Sequence, residues 1–119
     1  MTIKDFVKKA VEQDDSNLFE PCEKVVNVPD EFIDFYSEAN PLDVELNFNG
    51  IMIRLFPFGE LESIQQEYGF THGEFVFGDS NGDPVYYLKG KIYMGLHGSS
   101  KIDGELISES ISAFFDMIN

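Results

Sequence analysis

The sequence predicts a single α+β domain over residues 1–119, with an antiparallel sheet of about five strands. Two observations predict this class. Apolar residues recur at helical spacing near both ends of the chain, whereas through most of the middle they alternate with polar residues. The dipeptide Asn49-Gly50 separates two of the alternating runs, as in a tight hairpin. We therefore expect two N-terminal helices, one short helix inserted between strands, and a C-terminal helix that packs back on the sheet.

The N-terminal third of the chain predicts two amphipathic helices. The first has one apolar face, made of Ile3, Phe6, Val7, Ala10 and Val11. Thr2 and Asp5 have the spacing of a capping box at its start. Pro29 favours the first turn of the second helix, and Asn40-Pro41 favours its end. The apolar face of this second helix consists of Phe32, Phe35, Tyr36 and Ala39.

A hairpin and a short helix are predicted next. The runs VELNF and IMIRL alternate as strands do, and they flank Asn49 and Gly50, which readily adopt positive φ. The segment ELESIQQEYG that follows predicts the inserted helix, with Gly69 at its C-terminal end. Its inward residues are expected to be Leu61, Ile64 and Tyr68.

Three further short strands and the last helix complete the prediction. The runs EFVFGD, PVYYLK and KIYMGLH alternate in the manner of strands, and Gly90 separates the last two, so we expect an antiparallel meander. Ser108 is expected to cap the C-terminal helix. The apolar residues that repeat at helical spacing in this helix are Ile111, Phe114, Phe115 and Ile118.

The stretch FVFGDSNGDPVYYL admits two interpretations, a metal-binding loop or a turn. Asp79, Asn81 and Asp83 have the spacing of the first three ligands of a helix–loop–helix calcium site. That site needs Gly at its sixth position and Glu at its twelfth, but here those positions hold Pro84 and Gly90. Turn residues between two apolar runs favour a hairpin without a metal. Across the chain, the structural turn positions are expected to be Asn49, Gly50, Gly78 and Gly82.

Residues able to perform catalysis are few. Cys22 can supply a thiol, and His72 or His97 a base, but nothing in the local sequence marks Cys22 as activated. Carboxylates are so numerous that no single pair, for instance Glu60 with Glu62, stands out as acid and base. The sequence has no P-loop, Rossmann glycine fingerprint or zinc-spaced Cys and His pair. We therefore predict no cofactor and no small-molecule substrate, while from these residues alone an enzyme that acts through Cys22 or a carboxylate pair stays an alternative.

The charge distribution is strongly one-sided. The net charge is −14, and between Lys24 and Lys89 the only Lys or Arg is Arg54. This balance argues against non-specific attraction to nucleic acid or to anionic lipid, and it favours encounter with a basic partner. The alternative is that the acidic surface serves solubility alone.

The N-terminal segment and the cysteine content bear on the compartment. The segment MTIKDFVKKAVEQ mixes charged and apolar residues and lacks the continuous apolar run of a signal peptide or a membrane anchor. Cys22 is the single cysteine, which fits a reducing compartment. The expected location is the cytoplasm.

Four segments of the chain stand in an order that resembles the SUKH superfamily. They are VPDEFIDFYSEAN, LFPFGELESI, FVFGDSNGDPVYYL and ISESISAFFDMI, and the resemblance covers roughly residues 28–118. This superfamily includes the yeast cell-wall assembly regulator Smi/Knr and many bacterial immunity proteins. The resemblance implies an α+β domain that binds proteins and catalyses nothing. For bacterial members it implies neutralisation of polymorphic toxins, often nucleases.

The leading hypothesis from the sequence is an immunity protein that blocks a cognate basic toxin. The expected partner-binding residues are Asp30, Glu31, Asp34, Glu38, Glu60, Glu62, Asp79, Asp83 and Tyr86, with acidic side chains at the rim and an aromatic anchor. Two alternatives remain. One is a regulatory scaffold of the Smi/Knr type that binds proteins without inhibiting a toxin. The other is a small hydrolase-like enzyme that acts through Cys22 or a carboxylate pair.

Overall fold

The computed structural model describes residues 1–95 and 104–118, which form an α+β fold as predicted. The α-helices are α1 Ile3–Gln13, α2 Asp30–Ala39, α3 Leu61–Tyr68 and α4 Ile111–Phe115. The strands are β1 Leu18–Glu20, β2 Asn40–Phe48, β3 Ile51–Leu55, β4 Phe75–Ser80, β5 Asp83–Leu88, β6 Lys91–Met94 and β7 Glu105–Ser108. A 3-10 turn, Phe58–Glu60, leads directly into α3.

The strands form one antiparallel sheet in which sequence order is also spatial order. Within the described ranges the sheet has seven strands, β1 to β7, so the prediction of about five was wrong. Both missed strands lie at the edges. Each is short, and the pairing of each with its neighbour includes a register shift. Such irregular edge strands lack the regular alternation on which sequence interpretation depends.

The helix boundaries follow from their capping residues. Thr2 caps α1, since its hydroxyl accepts from the backbone N–H of Asp5 at 3.0 Å. Pro29 immediately precedes α2, and Gly69 ends α3 in the left-handed conformation at φ 65°. The prediction that Ser108 caps the last helix was wrong. Ser108 ends β7, and the side chain of Ser110 caps α4 instead.

The C-terminal helix is also shorter than the apolar spacing suggests. It ends at Phe115, and Ile118 forms an isolated antiparallel bridge with Phe48 of β2. Ile118 is buried by this pairing rather than by a further helical turn. The predicted apolar residue at position 118 is thus in the core, but through a different backbone conformation.

Three two-residue turns connect the hairpins of the sheet. The backbone takes positive φ at both residues of the pairs 49–50, 81–82 and 89–90, as type I′ turns require. The predicted turn roles of Asn49, Gly50 and Gly82 are confirmed.

Gly78 is not a turn residue but lies inside β4, beside an irregularity in the pairing of that strand with β5. A Cβ atom at Gly78 would stand 2.7 Å from the carbonyl oxygen of Arg54 on β3. The glycine is therefore required by the close approach of the neighbouring strand, and not by backbone curvature.

Aromatic rings hold three helices against one face of the sheet. Phe6 of α1 contacts Phe48 of β2, Phe35 of α2 and Phe115 of α4, with ring centroids 4.7–6.2 Å apart. Phe114 of α4 stacks on Phe48 at 4.4 Å. Large buried rings supply most of this core, and the chain has no intramolecular disulfide to supplement it.

Side-chain amides form hydrogen bonds with backbone groups of β2 in the part of this strand that does not pair with β1. β1 pairs only with residues 40–43 of β2. Farther along β2, the Gln13 amide donates to the carbonyl of Asn47 and accepts from its N–H, at 2.9 and 2.8 Å. Asn17 accepts from the N–H of Glu45 at 3.0 Å. These backbone groups are thus satisfied without an eighth strand.

The helices are short relative to a lipid bilayer. In the part of the chain that the structure describes, no helix is both long enough and apolar enough to span a membrane.

Candidate functional site

The described residues considered for catalysis, Cys22 and His72, lie in separate segments of the fold. Cys22 is half-buried beside α2, where its N–H donates to the carbonyl of Ser37. His72 is exposed in the loop after α3, within 3.3 Å of the Thr71 hydroxyl. His97 lies outside the described residues. Across residues 1–95 and 104–118, no three His, Cys, Asp or Glu side chains are grouped so as to hold a metal ion.

The Asp79 to Asp83 stretch is a tight turn, as predicted. The carboxylate of Asp79 accepts from the N–H of Gly82 at 3.1 Å, and the hydroxyl of Tyr68 donates to the Gly82 carbonyl at 3.0 Å. Burial raises the pKa of Tyr68, and the nearby carboxylates of Asp79, Glu67 and Asp83 raise it further. The two aspartates therefore lie at the C-terminal end of α3, where Asp79 shapes the turn.

Tyr86 is not available as a surface anchor. Its side chain is 0% exposed, because Tyr93 stacks on it at 5.4 Å and Phe70 packs on it at 5.2 Å. Its hydroxyl also accepts from the N–H of Gly104 at 3.3 Å. The expected contact between Tyr86 and a partner is therefore corrected: the residue packs between the sheet and the loop that follows α3.

The acidic residues of α2 are on the surface, as expected. Asp30 and Glu31 lie in the first turn of the helix, and Asp34 and Glu38 follow at one and two turns. All four are exposed, whereas the aromatic face of the helix is buried. With a rise of about 1.5 Å per residue, these carboxylates are spread over about 12 Å of the helix. We call these four exposed residues the acidic margin of α2.

Glu60 and Glu62 lie at the start of α3 and are not equivalent. Glu60 forms an ion pair with Arg54 at 3.8 Å, and both side chains are about half exposed. The Arg54 guanidinium also stands 5.4 Å from the centre of the Phe56 ring. Glu62 is exposed and lines a groove. Of these two residues, Glu62 is therefore the one that lines a concave surface.

The groove beside Glu62 is the feature that the sequence did not reveal. It has a volume of about 500 Å³ and is lined by residues 26–28, by residues from the segment 58–66, and by Phe75. We call it the α3 groove. Its apolar lining includes Val26, Phe58 and Leu61, and the side chain of Val26 is 58% exposed. Because residues 26–28 run directly into α2, the acidic margin of that helix begins two residues beyond the groove.

Local backbone conformation and one amide side chain shape the α3 groove. Asn27 has φ 62°, which bends the chain between the two valines that line the wall. The amide of Gln65 accepts from the N–H of Val76 at 2.9 Å and donates to its carbonyl at 2.7 Å. Gln65 therefore completes the edge of β4 at the bottom of the groove. Neither the position of Asn27 nor the pairing of Gln65 with β4 has a local sequence signal.

A second hollow lies next to β2 and the end of α1. It has a volume of about 530 Å³ and is lined mainly by polar residues, among them Asp14, Asp43 and Glu45. Hydrogen bonds from the backbone and hydroxyl of Ser16 lower the pKa of Asp14. Gln13 and Asn17, which also line this hollow, hold the β2 edge. Two of the side chains that line this hollow thus serve to stabilise the edge of β2.

No model of a known protein family matches the chain, and no curated protein is significantly similar to it. Its chemistry must therefore be inferred from geometry. In the described residues, the α3 groove combines an apolar lining with Glu62, and the exposed residues Asp30 and Glu31 follow its residues 26–28 along the chain. Such a surface can bind an apolar side chain that has cationic neighbours.

Proposed function

We propose that the chain is an immunity-type protein that binds and neutralises a cognate basic toxin in the cytoplasm. A nuclease toxin is the first class to test, because a nuclease holds phosphate in a cationic groove that an acidic protein can block. The observation that supports this proposal most is the position of the acidic margin of α2 next to the apolar α3 groove.

The proposal includes a SUKH-like fold. Two helices, an antiparallel meander with an inserted helix, and a terminal helix follow one another along the chain. The α+β class of this fold is the one that the resemblance of the sequence implies. The strands at both edges extend the expected sheet and leave that order unchanged.

Charge and apolar surface have separate tasks in this proposal. The net charge of −14 speeds encounter with a basic protein, and this effect weakens as salt screens the charges. The apolar lining of the groove then limits dissociation, since a buried anchor contributes more to affinity than an exposed charge at the rim does. Specificity arises when both surfaces fit the same partner.

The test combines capture of the partner with a growth assay. The purified chain is used to capture proteins from the source cell, and each captured protein is expressed alone and together with the chain. We expect a captured protein that stops growth by itself and permits growth when the chain is present. A captured protein that is harmless by itself would reject toxin neutralisation and favour the regulatory scaffold.

A pair of charge variants examines the acidic margin. The first variant replaces Asp30, Glu31, Asp34 and Glu38 with Asn or Gln, and the matched control makes the same change at Glu12, Asp15, Glu20 and Glu105. All eight positions are exposed, and each variant removes four negative charges. The association rate with the captured toxin should fall about tenfold or more in the first variant at low salt, and much less in the control. Equal effects would show that only the total charge matters.

A further inference from the structure

We propose that the α3 groove binds one bulky apolar side chain from a basic segment of the partner, with Lys or Arg on both sides of that side chain. This inference rests on the proposed protein-binding function and specifies the chemistry of the segment that is recognised. The groove lining supplies the apolar contact, and the charge comes from Glu62 in the lining and from Asp30 and Glu31, which follow Val28 of the lining by two and three residues.

The apolar requirement follows from exposure. Val26 exposes more than half of its side chain at the mouth of the groove, and Phe58 is half-buried in the wall. Phe75 at the floor is 7% exposed and contacts the ring of Phe32 at 5.1 Å. Phe75 therefore joins the lining of the groove to the hydrophobic core. An aliphatic or aromatic side chain placed in the groove removes apolar surface of both partners from water.

The occupant is expected to bind through a side chain and not by adding a strand. Strand addition needs unsatisfied N–H and C=O groups at a sheet edge. At the edge of β4 that faces the groove, the amide of Gln65 already satisfies both backbone groups of Val76. A strand would have to displace this amide, which also donates to the Leu61 carbonyl at 3.1 Å.

The basic requirement follows from the charges on both sides. Glu62 lines one wall, and Asp30 and Glu31 begin α2 just beyond the other wall. Among Lys and Arg residues, exposed Lys24 lies two residues before Val26 of the lining, and Arg54 pairs with Glu60. The carboxylates of Glu62, Asp30 and Glu31 therefore outnumber the cations near the groove along the chain. A segment with cations on both sides of its apolar residue would thus meet carboxylates, whereas an acidic segment would be repelled.

The binding test uses three synthetic peptides and the whole chain. The first has a single Phe at its centre with three Lys or Arg on each side, the second has Gly at the centre of the same basic flanks, and the third has Phe between Glu residues. Binding is followed by the NMR shifts of the Gly59 N–H and of the side-chain amides of Gln65 and Gln66, all of which line the groove. We expect these signals to move with the first peptide, and at least tenfold weaker binding of the other two.

Variants on and off the groove locate the binding. Val26→Lys places a cation at an exposed position of the groove, and Gln66→Lys does the same at a second exposed position. Val11→Lys is the matched control, because Val11 is exposed on α1 and does not line the groove. We expect the first two variants to bind the basic peptide at least fivefold more weakly, and the control to bind it as the parent does. Shifts confined to other parts of the protein, or equal binding by all variants, would overturn the inference.

The groove inference and the proposed function fail in different ways. If Val26→Lys and Gln66→Lys still neutralise the captured toxin with unchanged affinity, the toxin binds elsewhere and only the groove inference is overturned. If the basic peptide binds the groove but no captured protein is toxic, the recognition chemistry stands and toxin neutralisation is rejected.

Discussion

Replacing Gly78 with alanine should destabilise the protein because the added Cβ would stand too close to β3. The added Cβ would lie 2.7 Å from the carbonyl oxygen of Arg54 and 3.1 Å from a methyl carbon of Ile53. The first of these atoms is backbone, and it belongs to the β3 segment that pairs with β4 at this point. Relief of the clash therefore requires the two strands to separate locally.

The expected magnitude follows from two opposing effects. Overpacking of this kind costs about 1–3 kcal/mol. Alanine also restricts the unfolded chain more than glycine does, and this lower conformational entropy offsets the cost by about 0.4–1 kcal/mol. The net loss in free energy of unfolding should thus be about 1–2 kcal/mol, or a decrease in Tm of about 4–8 °C for a domain of this size.

Two other glycines provide the controls for urea denaturation and thermal melting. Gly59→Ala meets no atom within 4 Å and has no positive φ, so its free energy of unfolding should change by less than about 0.5 kcal/mol. Gly50→Ala also meets open space, but its φ of +95° should cost about 1 kcal/mol. If Gly78→Ala proves as stable as Gly59→Ala, the close approach of β3 to Gly78 is refuted.

Three further perturbations test the β4 edge, the core and the Asp79 turn. Gln65→Leu should lower the free energy of unfolding by about 2 kcal/mol, because both backbone groups of Val76 lose their partner, whereas Gln66→Leu should change it by less than about 0.5 kcal/mol. Equal urea midpoints for these two variants would contradict the edge assignment. Burial raises the pKa of Tyr36, so above about pH 10 the unfolded chain releases this proton more readily than the folded chain, and stability should fall as pH rises further. Tyr36→Phe should reduce that fall, and an unchanged slope of unfolding free energy against pH would argue against a buried phenol. Millimolar calcium at constant ionic strength should leave Tm unchanged, since the carboxylate of Asp79 is engaged in the turn, and a rise of several degrees would support a metal site instead.

The hairpins and helix starts could be predicted because their signals are local. Asn49 and Gly50 specify a turn by themselves, since few other residues tolerate positive φ at both positions. Thr2 marks the start of α1 through one hydrogen bond to the nearby backbone. The last helix shows the limit of such signals. Ser108 and Ser110 are both acceptable caps in sequence, and only the pairing of β7 with β6 assigns Ser108 to a strand.

The buried position of Tyr86 depends on contacts that alternation cannot predict. Tyr86 and Tyr87 point to opposite faces of β5, and alternation predicts one buried and one exposed side chain. Both faces are in fact covered here, Tyr87 by Phe32 and Tyr86 by Phe70. Phe70 comes from the loop after α3, so the covering residue is distant in sequence.

The α3 groove could not be predicted for a related reason. Its lining comes from residues before α2, from α3 and from the start of β4. The sequence did indicate the acidic residues of α2 and Glu62, because charge is visible residue by residue. The apolar surface between them exists only after Val26 and Phe58 have been brought together by the fold.

The stacking of Phe114 on Phe48 has a consequence for synthesis of the protein. Translation delivers β2 and β4 long before α4, so Phe48 and Phe77 emerge from the ribosome without the ring that packs against both of them. The part of these two rings that Phe114 covers remains exposed until α4 has left the exit tunnel. A nonsense mutation at position 109 or 110 should consequently give an aggregated product rather than a shorter working protein, even though all seven strands of the described sheet have already been made.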